Sequence, residues 1–212
     1  KKKWDSNNFK KLNKNIFTLH KLSSSKIEKI NPNIIFFLHW SQFIKKSIFK
    51  RYLCIQFHSS QLPKGRGGSP IQNQIMLNKK KTKISAFKVS EKLDSGPICL
   101  QKDLSLKGSA EDIFKRMEAK SILMIKQIIK TKNLKFKKQI GKPSFFKRRK
   151  PSESKLDFHK TTSIKKLYNF IRMLDADGYP NAFISFKEFK ILLKQTRINK
   201  NTLNGKFEIV KK

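Results

Sequence analysis

The chain has little cysteine, glycine or proline, few acidic residues and no long apolar run. Only 2 of its 212 residues are cysteine, which argues against a disulfide scaffold and against a zinc site built from thiolates. Gly (8) and Pro (7) are too scarce for a collagen-like or low-complexity chain. The longest uncharged apolar run, residues 34–38, is far shorter than the roughly 20 residues that cross a bilayer, so no membrane partner is expected.

Basic residues, by contrast, are abundant. Lys and Arg number 50 against 14 Asp and Glu, which gives a net charge of +36. A surface of this kind attracts polyanions, so nucleic acid is one candidate partner. The lysines are dispersed along the chain, however, and dispersed lysine is typical of a solvated surface. Charge alone therefore assigns no function.

The apolar pattern predicts an α/β fold with an open, mostly parallel, Rossmann-like sheet. Residues 34–38 and 53–57 are strands, and the first of them is apolar on both faces, as in a parallel strand that helices cover. A helix over residues 42–52 joins them, and right-handed crossovers of this kind build open α/β sheets. The first Met is Met76, so we expect the native N-terminus, and with it an N-terminal strand, to be missing.

The remaining segments predict the rest of the sheet and a small β-rich appendage. Ser109 and Asp112 form a capping-box pattern ahead of a long amphipathic helix, and residues 133–160 are polar and basic, as in a linker. We therefore expect two domains, residues 1–150 and 151–212. The other predicted helices cover residues 23–30, 71–77, 110–130 and 163–174, and the other predicted strands cover residues 14–20, 83–89, 97–104, 182–186, 189–193 and 207–210.

A histidine and an aspartate are predicted to lie at the same edge of the sheet. His58 follows a buried strand and Asp94 lies in the turn over residues 91–96, and ligands of open α/β sheets bind beyond the carboxyl ends of the strands. Such a pair can move a proton near neutral pH. It suits attack of an amine on a carbonyl carbon, where an oxyanion must be stabilised. Alternatively, His58 caps a loop and Asp94 shapes a turn.

Two motifs around these residues resemble a known family. Residues 58–72 read HSSQLPKGRGGSPIQ, and they resemble the His-x-Ser-Leu-Leu-Pro-x-x-Arg-Gly-x-x-Pro-Ile-Gln segment of folate-dependent formyltransferases. Residues 91–98 read EKLDSGPI and are similar to that family's Gly-Leu-Asp-Thr-Gly turn. Asp94 follows His58 by 36 positions, in agreement with the methionyl-tRNA formyltransferase pattern. Residues 146–151 and 171–183 resemble the junction into the family's C-terminal β subdomain.

The resemblance implies transfer of the formyl group of 10-formyltetrahydrofolate to a primary amine, with no metal. In that role His58 polarises the formyl oxygen or takes the amine proton, and Asp94 orients His58 or a water. The family's third member, an Asn two positions before the His, is replaced by Gln56. Its amide can donate the same kind of hydrogen bond from one methylene further out, so Gln56 is the third candidate catalytic residue.

Further residues are assigned to binding on the same resemblance. The alternatives for three of them are structural: Trp40 packs in the core, His39 is a loop residue and Arg66 pins its own loop. The expected folate contacts are His39, Trp40, Gly67, Gly68 and Leu93, and the expected acceptor contacts are Ser59 and Arg66.

Three functional hypotheses remain open at this stage. The short tail after Pro151, together with the sequence variants at residues 40–41 and 67–70, favours an amino-sugar nucleotide as acceptor. The positive charge favours the alternative, an aminoacyl-tRNA acceptor as in methionyl-tRNA formyltransferase. A third hypothesis is a non-catalytic, basic RNA-binding protein on the same scaffold, suggested by Gln56 and the charge. We also expect a cytoplasmic location and consider a homodimer.

Overall fold

The structure, a computed structural model, describes residues 16–19 and 21–211. A central sheet is covered by helices and is followed by a smaller antiparallel sheet. The helices are α1 (Ser24–Ile30), α2 (Lys46–Arg51), α3 (Pro70–Met76), α4 (Ala110–Lys130) and α5 (Ile164–Arg172), and the strands are β1 (Ile34–Phe37), β2 (Leu53–His58), β3 (Arg66–Gly67), β4 (Lys81–Lys88), β5 (Ile98–Ser105), β6 (Phe145–Phe146), β7 (Ala182–Phe186), β8 (Phe189–Asn199) and β9 (Thr202–Lys211).

The central sheet has the strand order β1-β2-β4-β5 among the described residues. β1 and β2 are parallel, with Ile34 opposite Leu53, and α2 crosses between them as the sequence predicts. β4 is antiparallel to both β2 and β5. A turn joins β4 to β5, and these two strands form the predicted hairpin. The Rossmann-like α/β fold is confirmed. Its parallel pairing, however, is confined to β1 and β2, and this described part of the sheet is mixed.

Alternation along β2 explains the layers on the two faces of the sheet. Cys54 and Ile55 are both buried, and as neighbours on a strand they point to opposite faces. Ile55 belongs to the larger apolar cluster, with residues of α3 and α4. Cys54 belongs to a smaller cluster with Ile27 of α1 and Ile48 of α2, and burial raises the pKa of its thiol to about 12.

The long helix α4 has the limits that its sequence predicts. Ser109 Oγ accepts a hydrogen bond from the Asp112 N–H, and the Asp112 carboxylate accepts one from the Ser109 N–H. This capping box satisfies donors that the first turn leaves free. Ile113 and Met124 are among the side chains of its buried face, and they pack in the larger cluster.

The C-terminal part is β-rich, as predicted, and shares the core of the central sheet. β7 and β9 both pair antiparallel with β8, and β8 and β9 run beyond the predicted segments because they pair with each other as far as Asn199 and Thr202. Ile171 of α5 and Ala182 of β7 lie in the larger apolar cluster. That cluster therefore extends across residue 150, where the division into two domains is expected.

Three predicted segments differ in the structure. Residues 16–19 form no strand, and residues 14, 15 and 20 of that predicted strand lie outside the described residues. The helix predicted over residues 42–52 begins only at Lys46, since Ile44 packs against the smaller cluster in the irregular stretch before it. The predicted linker contains β6, which pairs with β3. No helix within residues 16–19 and 21–211 is long and apolar enough to cross a membrane.

Candidate active site

The structure brings His58 and Asp94 together, as the sequence predicts. His58 is the last residue of β2 and Asp94 lies in the turn between β4 and β5. His58 Nδ1 is 3.6 Å from Asp94 Oδ2, and both side chains are more than nine-tenths buried. Asp94 has a left-handed backbone (φ 47°), a conformation that aspartate adopts more readily than most residues. The pair therefore lies at the sheet edge where chemistry is expected.

Backbone groups of the loop after β2 contact both members of the pair. Asp94 Oδ2 accepts a hydrogen bond from the Gly67 N–H at 2.8 Å. His58 Nε2 is 2.7 Å from the Gly65 carbonyl oxygen, and because a carbonyl can only accept, Nε2 carries a proton. The neutral ring then has its unprotonated Nδ1 toward Asp94, and an imidazolium would have a second N–H there. Both states are chemically useful for proton transfer.

Buried polar side chains hold the start of this loop. The Gln74 amide of α3 donates to the Ser59 carbonyl at 2.8 Å, and Ser85 Oγ of β4 donates to the Ser60 carbonyl at 2.7 Å. Gln74 and Ser85 are both buried, where a polar group is stable only if it is hydrogen-bonded. These contacts fix the backbone immediately after His58.

The glycines of this loop allow a second chain segment to lie against it. Gly67 has a φ of 95°, and a Cβ there would lie 2.5 Å from the Phe146 carbonyl oxygen. A Cβ on Gly68 would lie 2.4 Å from the Cβ of Arg148. The close approach is made by the stretch predicted as a linker, and so that prediction is wrong for residues 144–149. Folate contact at Gly67 and Gly68 stays a prediction.

Arg66 contacts a side chain of the protein. Its Nη2 and Nε donate to Oε1 of Gln139, at 2.7 and 3.3 Å. The amide nitrogen of Gln139 donates in turn to the carbonyls of Asp94 and Gly96, both at 2.8 Å. This geometry supports the structural alternative for Arg66, in which it pins its loop.

A cavity of about 360 Å³ opens beside His58. The cavity is lined by the end of β2 and by residues from both predicted domains, before and after residue 150. Phe114 of α4 and Tyr179 are among them. Phe114 and Tyr179 are stacked, with ring centroids 5.1 Å apart. Of the predicted site residues, the lining includes His39, Trp40, His58, Ser59 and Gly67, whereas Gln56, Arg66, Gly68, Leu93 and Asp94 lie outside it.

Trp40 and His39 have different surroundings at the cavity. The Trp40 ring packs edge-on against Phe37, with centroids 5.6 Å apart, so its role in packing is evident. Its indole N–H nevertheless lies buried without a hydrogen-bond partner in the described part of the chain. His39 is exposed, has a left-handed backbone (φ 49°) and contacts the Phe114 ring edge-on.

Gln56 and Leu93 lie further from the cavity. Gln56 precedes His58 by two positions on β2, so the two side chains share one face of the strand. Leu93 is 48% exposed in the turn that holds Asp94. Gln56 therefore lies on the same strand face as His58 but outside the cavity lining, as does Leu93, and their roles stay predictions.

One wall of the cavity is basic. Arg148, Arg149 and Lys150 all contribute to its lining. Burial lowers the pKa of the Arg149 guanidinium, an effect that the nearby Glu153 opposes. The Arg149 Nε is buried and has no hydrogen-bond partner among the described residues. Burial also raises the pKa of the Tyr179 phenol. This wall suits an anionic ligand.

The sequence did not identify Gln139, Phe146 or Arg149 as parts of the site. All three lie in the stretch whose polar composition is typical of a linker, and none belongs to an apolar pattern. One available signal was the presence of glycine at positions 65, 67 and 68, because glycine permits close approach of another backbone. No cluster of three or more potential metal-ligating His, Cys, Asp or Glu side chains occurs within residues 16–19 and 21–211.

Comparisons with known proteins agree with this fold. The family model described as formyl transferase matches residues 9–144. A second model, described as the C-terminal domain of methionyl-tRNA formyltransferase, matches residues 151–210. The chain therefore belongs to the formyl transferase family, and the resemblance of its motifs to that family is confirmed.

Individual relatives give the extent of the similarity. A structure of methionyl-tRNA formyltransferase from Clostridium thermocellum is 37% identical, with a TM-score of 0.91 over 100% of this chain and 96% of that one. Methionyl-tRNA formyltransferase of Fusobacterium nucleatum is 29% identical over 84% of this chain and 59% of its own length. The chain spans 57–61% of the length of such curated relatives. A sugar N-formyltransferase from Shewanella shares the fold (TM-score 0.67, 17% identity, 82% of this chain and 74% of that one).

Proposed function

We propose that this protein transfers the formyl group of 10-formyltetrahydrofolate to the amino group of methionyl-tRNA. The observation that carries the reaction class is the buried His58–Asp94 pair, 3.6 Å apart beside a cavity. The acceptor is supported by the match of residues 151–210 to the C-terminal domain of methionyl-tRNA formyltransferase. The expected amino-sugar acceptor depended on the short tail and on the variants at residues 40–41 and 67–70. Because that tail matches this domain, its length no longer favours a sugar.

The His58–Asp94 pair can handle the protons of the reaction. When the amine nitrogen bonds to the formyl carbon, the formyl oxygen gains negative charge and the amine proton passes, directly or through a water, to the Asp94 carboxylate. The bond from the formyl carbon to N10 of the donor then breaks, and N10 of the departing tetrahydrofolate takes up that proton. The Nε2–H of His58, which donates to the Gly65 carbonyl, is the donor available for the formyl oxygen once the ring or the loop shifts. The Asp94 carboxylate, 3.6 Å from His58 Nδ1, also orients the ring for this donation.

The cavity lining also fits the proposed formyl donor. Bound 10-formyltetrahydrofolate would supply the formyl group, and its pterin ring carries hydrogen-bond acceptors. The indole N–H of Trp40 is buried and unpartnered among the described residues, and a buried donor of this kind is stabilised by an acceptor from a ligand. We propose that Trp40 and His39 contact the bound 10-formyltetrahydrofolate. Gln56 is proposed as an oxyanion donor, a role in which loss of one hydrogen bond can reduce the rate by roughly 10²–10³.

The basic wall supports an RNA acceptor. Three consecutive basic residues line the cavity together with the end of β2, namely Arg148, Arg149 and Lys150. The net charge of the chain is +36. Methionyl-tRNA carries both the primary amine that the reaction needs and phosphates that these side chains can neutralise. Its binding should therefore weaken with salt as counterions compete.

The purified chain should be incubated with 10-formyltetrahydrofolate and, separately, with methionyl-tRNA or a panel of amine-bearing nucleotide sugars. We expect formylmethionyl-tRNA, detected by mass spectrometry after deacylation, and no formylated sugar. Uncharged tRNA is the control for background. Formylation of a sugar alone would refute the acceptor but keep the reaction class. Salt-sensitive RNA binding without any transfer would favour the non-catalytic RNA-binding hypothesis.

A further inference from the structure

The side chain of Gln139 connects the two segments that carry the candidate catalytic pair. Gln139 lies half-buried in the irregular stretch between α4 and β6. The Gln139 Oε1 accepts hydrogen bonds from the Arg66 guanidinium, in the loop that follows β2. The Gln139 Nε2 donates hydrogen bonds to the carbonyls of Asp94 and Gly96. We propose that Gln139 is a positioning residue that holds the Asp94 turn against the Arg66 loop.

The chemistry of these contacts requires a carboxamide. A guanidinium can only donate and a backbone carbonyl can only accept, so the partners fix which end of the Gln139 amide is oxygen and which is nitrogen. Both N–H groups of the amide then have an acceptor, and both lone pairs of its oxygen face Arg66. Aspartate and glutamate lack the donors, and leucine lacks every polar atom.

Few other contacts hold this turn at the carboxylate. Asp94 itself accepts from the Gly67 N–H, and Ser95 Oγ donates to the Lys92 carbonyl within the turn. Without Gln139, the Asp94 turn keeps its internal hydrogen bonds among Ser90, Lys92 and Ser95, and the Gly67 N–H still joins it to the Arg66 loop. Asp94 should then sample more positions, and a misplaced proton acceptor slows transfer without preventing substrate binding.

Local hydrogen exchange tests this role without any need for activity. In the Gln139→Leu variant of the whole chain, amides in residues 65–68 and 91–96 should exchange at least about 10-fold faster, while those of β4 and β5 keep their rates, as in local opening. The matched control is Gln127→Leu, the same change at an exposed glutamine of α4. Gln139→Glu keeps the acceptor for Arg66 but removes both donors, and it should exchange like the leucine variant.

The kinetic part of the inference rests on the proposed function. For formyl transfer, Gln139→Leu and Gln139→Glu should lower kcat by about 10- to 100-fold with KM for methionyl-tRNA changed less than threefold. Unchanged exchange in both loops of Gln139→Leu, or wild-type exchange in Gln139→Glu, would overturn the positioning role. Absence of formyl transfer in the unmodified chain would refute the proposed function and leave the exchange result to be judged by itself.

Discussion

His58 and Asp94 are 36 positions apart in the sequence, yet His58 Nδ1 lies 3.6 Å from Asp94 Oδ2. The end of β2 fixes the first residue and the turn after β4 fixes the second, and these two strands are direct neighbours. Both residues also contact the backbone of the same loop, through Gly65 and Gly67. The pair is thus built by strand pairing and closed by the loop, so its members should be tested together.

Substitutions of this pair should remove activity with little effect on folding. In Asp94→Asn the side-chain oxygen still accepts from Gly67, but the negative charge is lost. His58→Ala and Asp94→Asn should each lower kcat for formyl transfer by about 10²–10⁴-fold, and thermal unfolding should shift by only a few degrees. His159→Ala, at an exposed histidine outside the site, is the matched control. Full activity in either pair variant would exclude the proposed proton-transfer role.

Gly96 should tolerate no side chain, because the end of β4 lies against it. A Cβ at Gly96 would lie 1.7 Å from the Lys88 carbonyl oxygen. Gly96→Ala must push the Asp94 turn away from β4, and overpacking of this kind should lower the free energy of unfolding by about 3 kcal/mol. Urea denaturation measures this loss. In Gly141→Ala the new Cβ meets nothing within 4 Å, but the φ of 100° strains any side chain there, so that variant gives the loss from backbone strain without a collision, and Gly96→Ala should lose more. Equal losses would contradict the steric argument.

The parts of the fold that local sequence determines were predictable. α4 has its capping box and apolar face within one continuous stretch, and its predicted limits, Ala110 and Lys130, are confirmed. The positions of His58 and Asp94 followed because each ends a recognisable strand or lies in a recognisable turn. For such elements the information is contained in neighbouring residues.

The segment that contains Gln139 and β6, and that packs against the loop after β2, could not be predicted from the sequence. Its contact partners are distant in the chain. Gln139 bonds to Arg66 across 73 positions, and β6 is only two residues long, too short for a period to be visible. Polar residues in such a segment look the same whether they face water or bind another loop. The comparisons favour the alternative acceptor over the expected amino sugar, because tail length says nothing of which domain the tail forms.

Arg172 should be a main stabilising contact between the C-terminal part and the central sheet. It is buried, its Nη1 donates to the carbonyls of Leu106 and Gly108, and its Nε donates to Asn169. Arg172→Met removes charge-assisted bonds and leaves buried carbonyls without donors, which should lower the free energy of unfolding by about 3 kcal/mol. Urea denaturation would show this. Arg197→Met, at an exposed arginine of β8, should change stability little. Equal effects of the two variants would contradict this role for Arg172.

Asp175 gives a pH-dependent prediction with a defined sign. Burial raises the pKa of this carboxyl above 3.8, the nearby Glu111 and Asp112 add to the increase, and the N–H of Gln195 opposes it. The folded state therefore holds the proton more tightly than the unfolded state, and stability is lost as pH rises from about the unfolded pKa through the folded pKa. Asp175→Asn removes this penalty, and its side-chain oxygen can still accept from Gln195.

Thermal unfolding between pH 3.5 and pH 7, values that span the ordinary carboxyl range, should show this difference. Asp175→Asn should unfold at a higher temperature than the wild type at pH 7, and the gap should narrow as the pH falls. Glu153→Gln is the control of opposite sign, because the backbone N–H of Lys150 lowers the pKa of Glu153. Removal of that carboxylate should reduce stability at pH 7, and the reduction should become smaller in acid. A gap for Asp175→Asn that widens toward low pH would mean that burial does not dominate at this carboxyl.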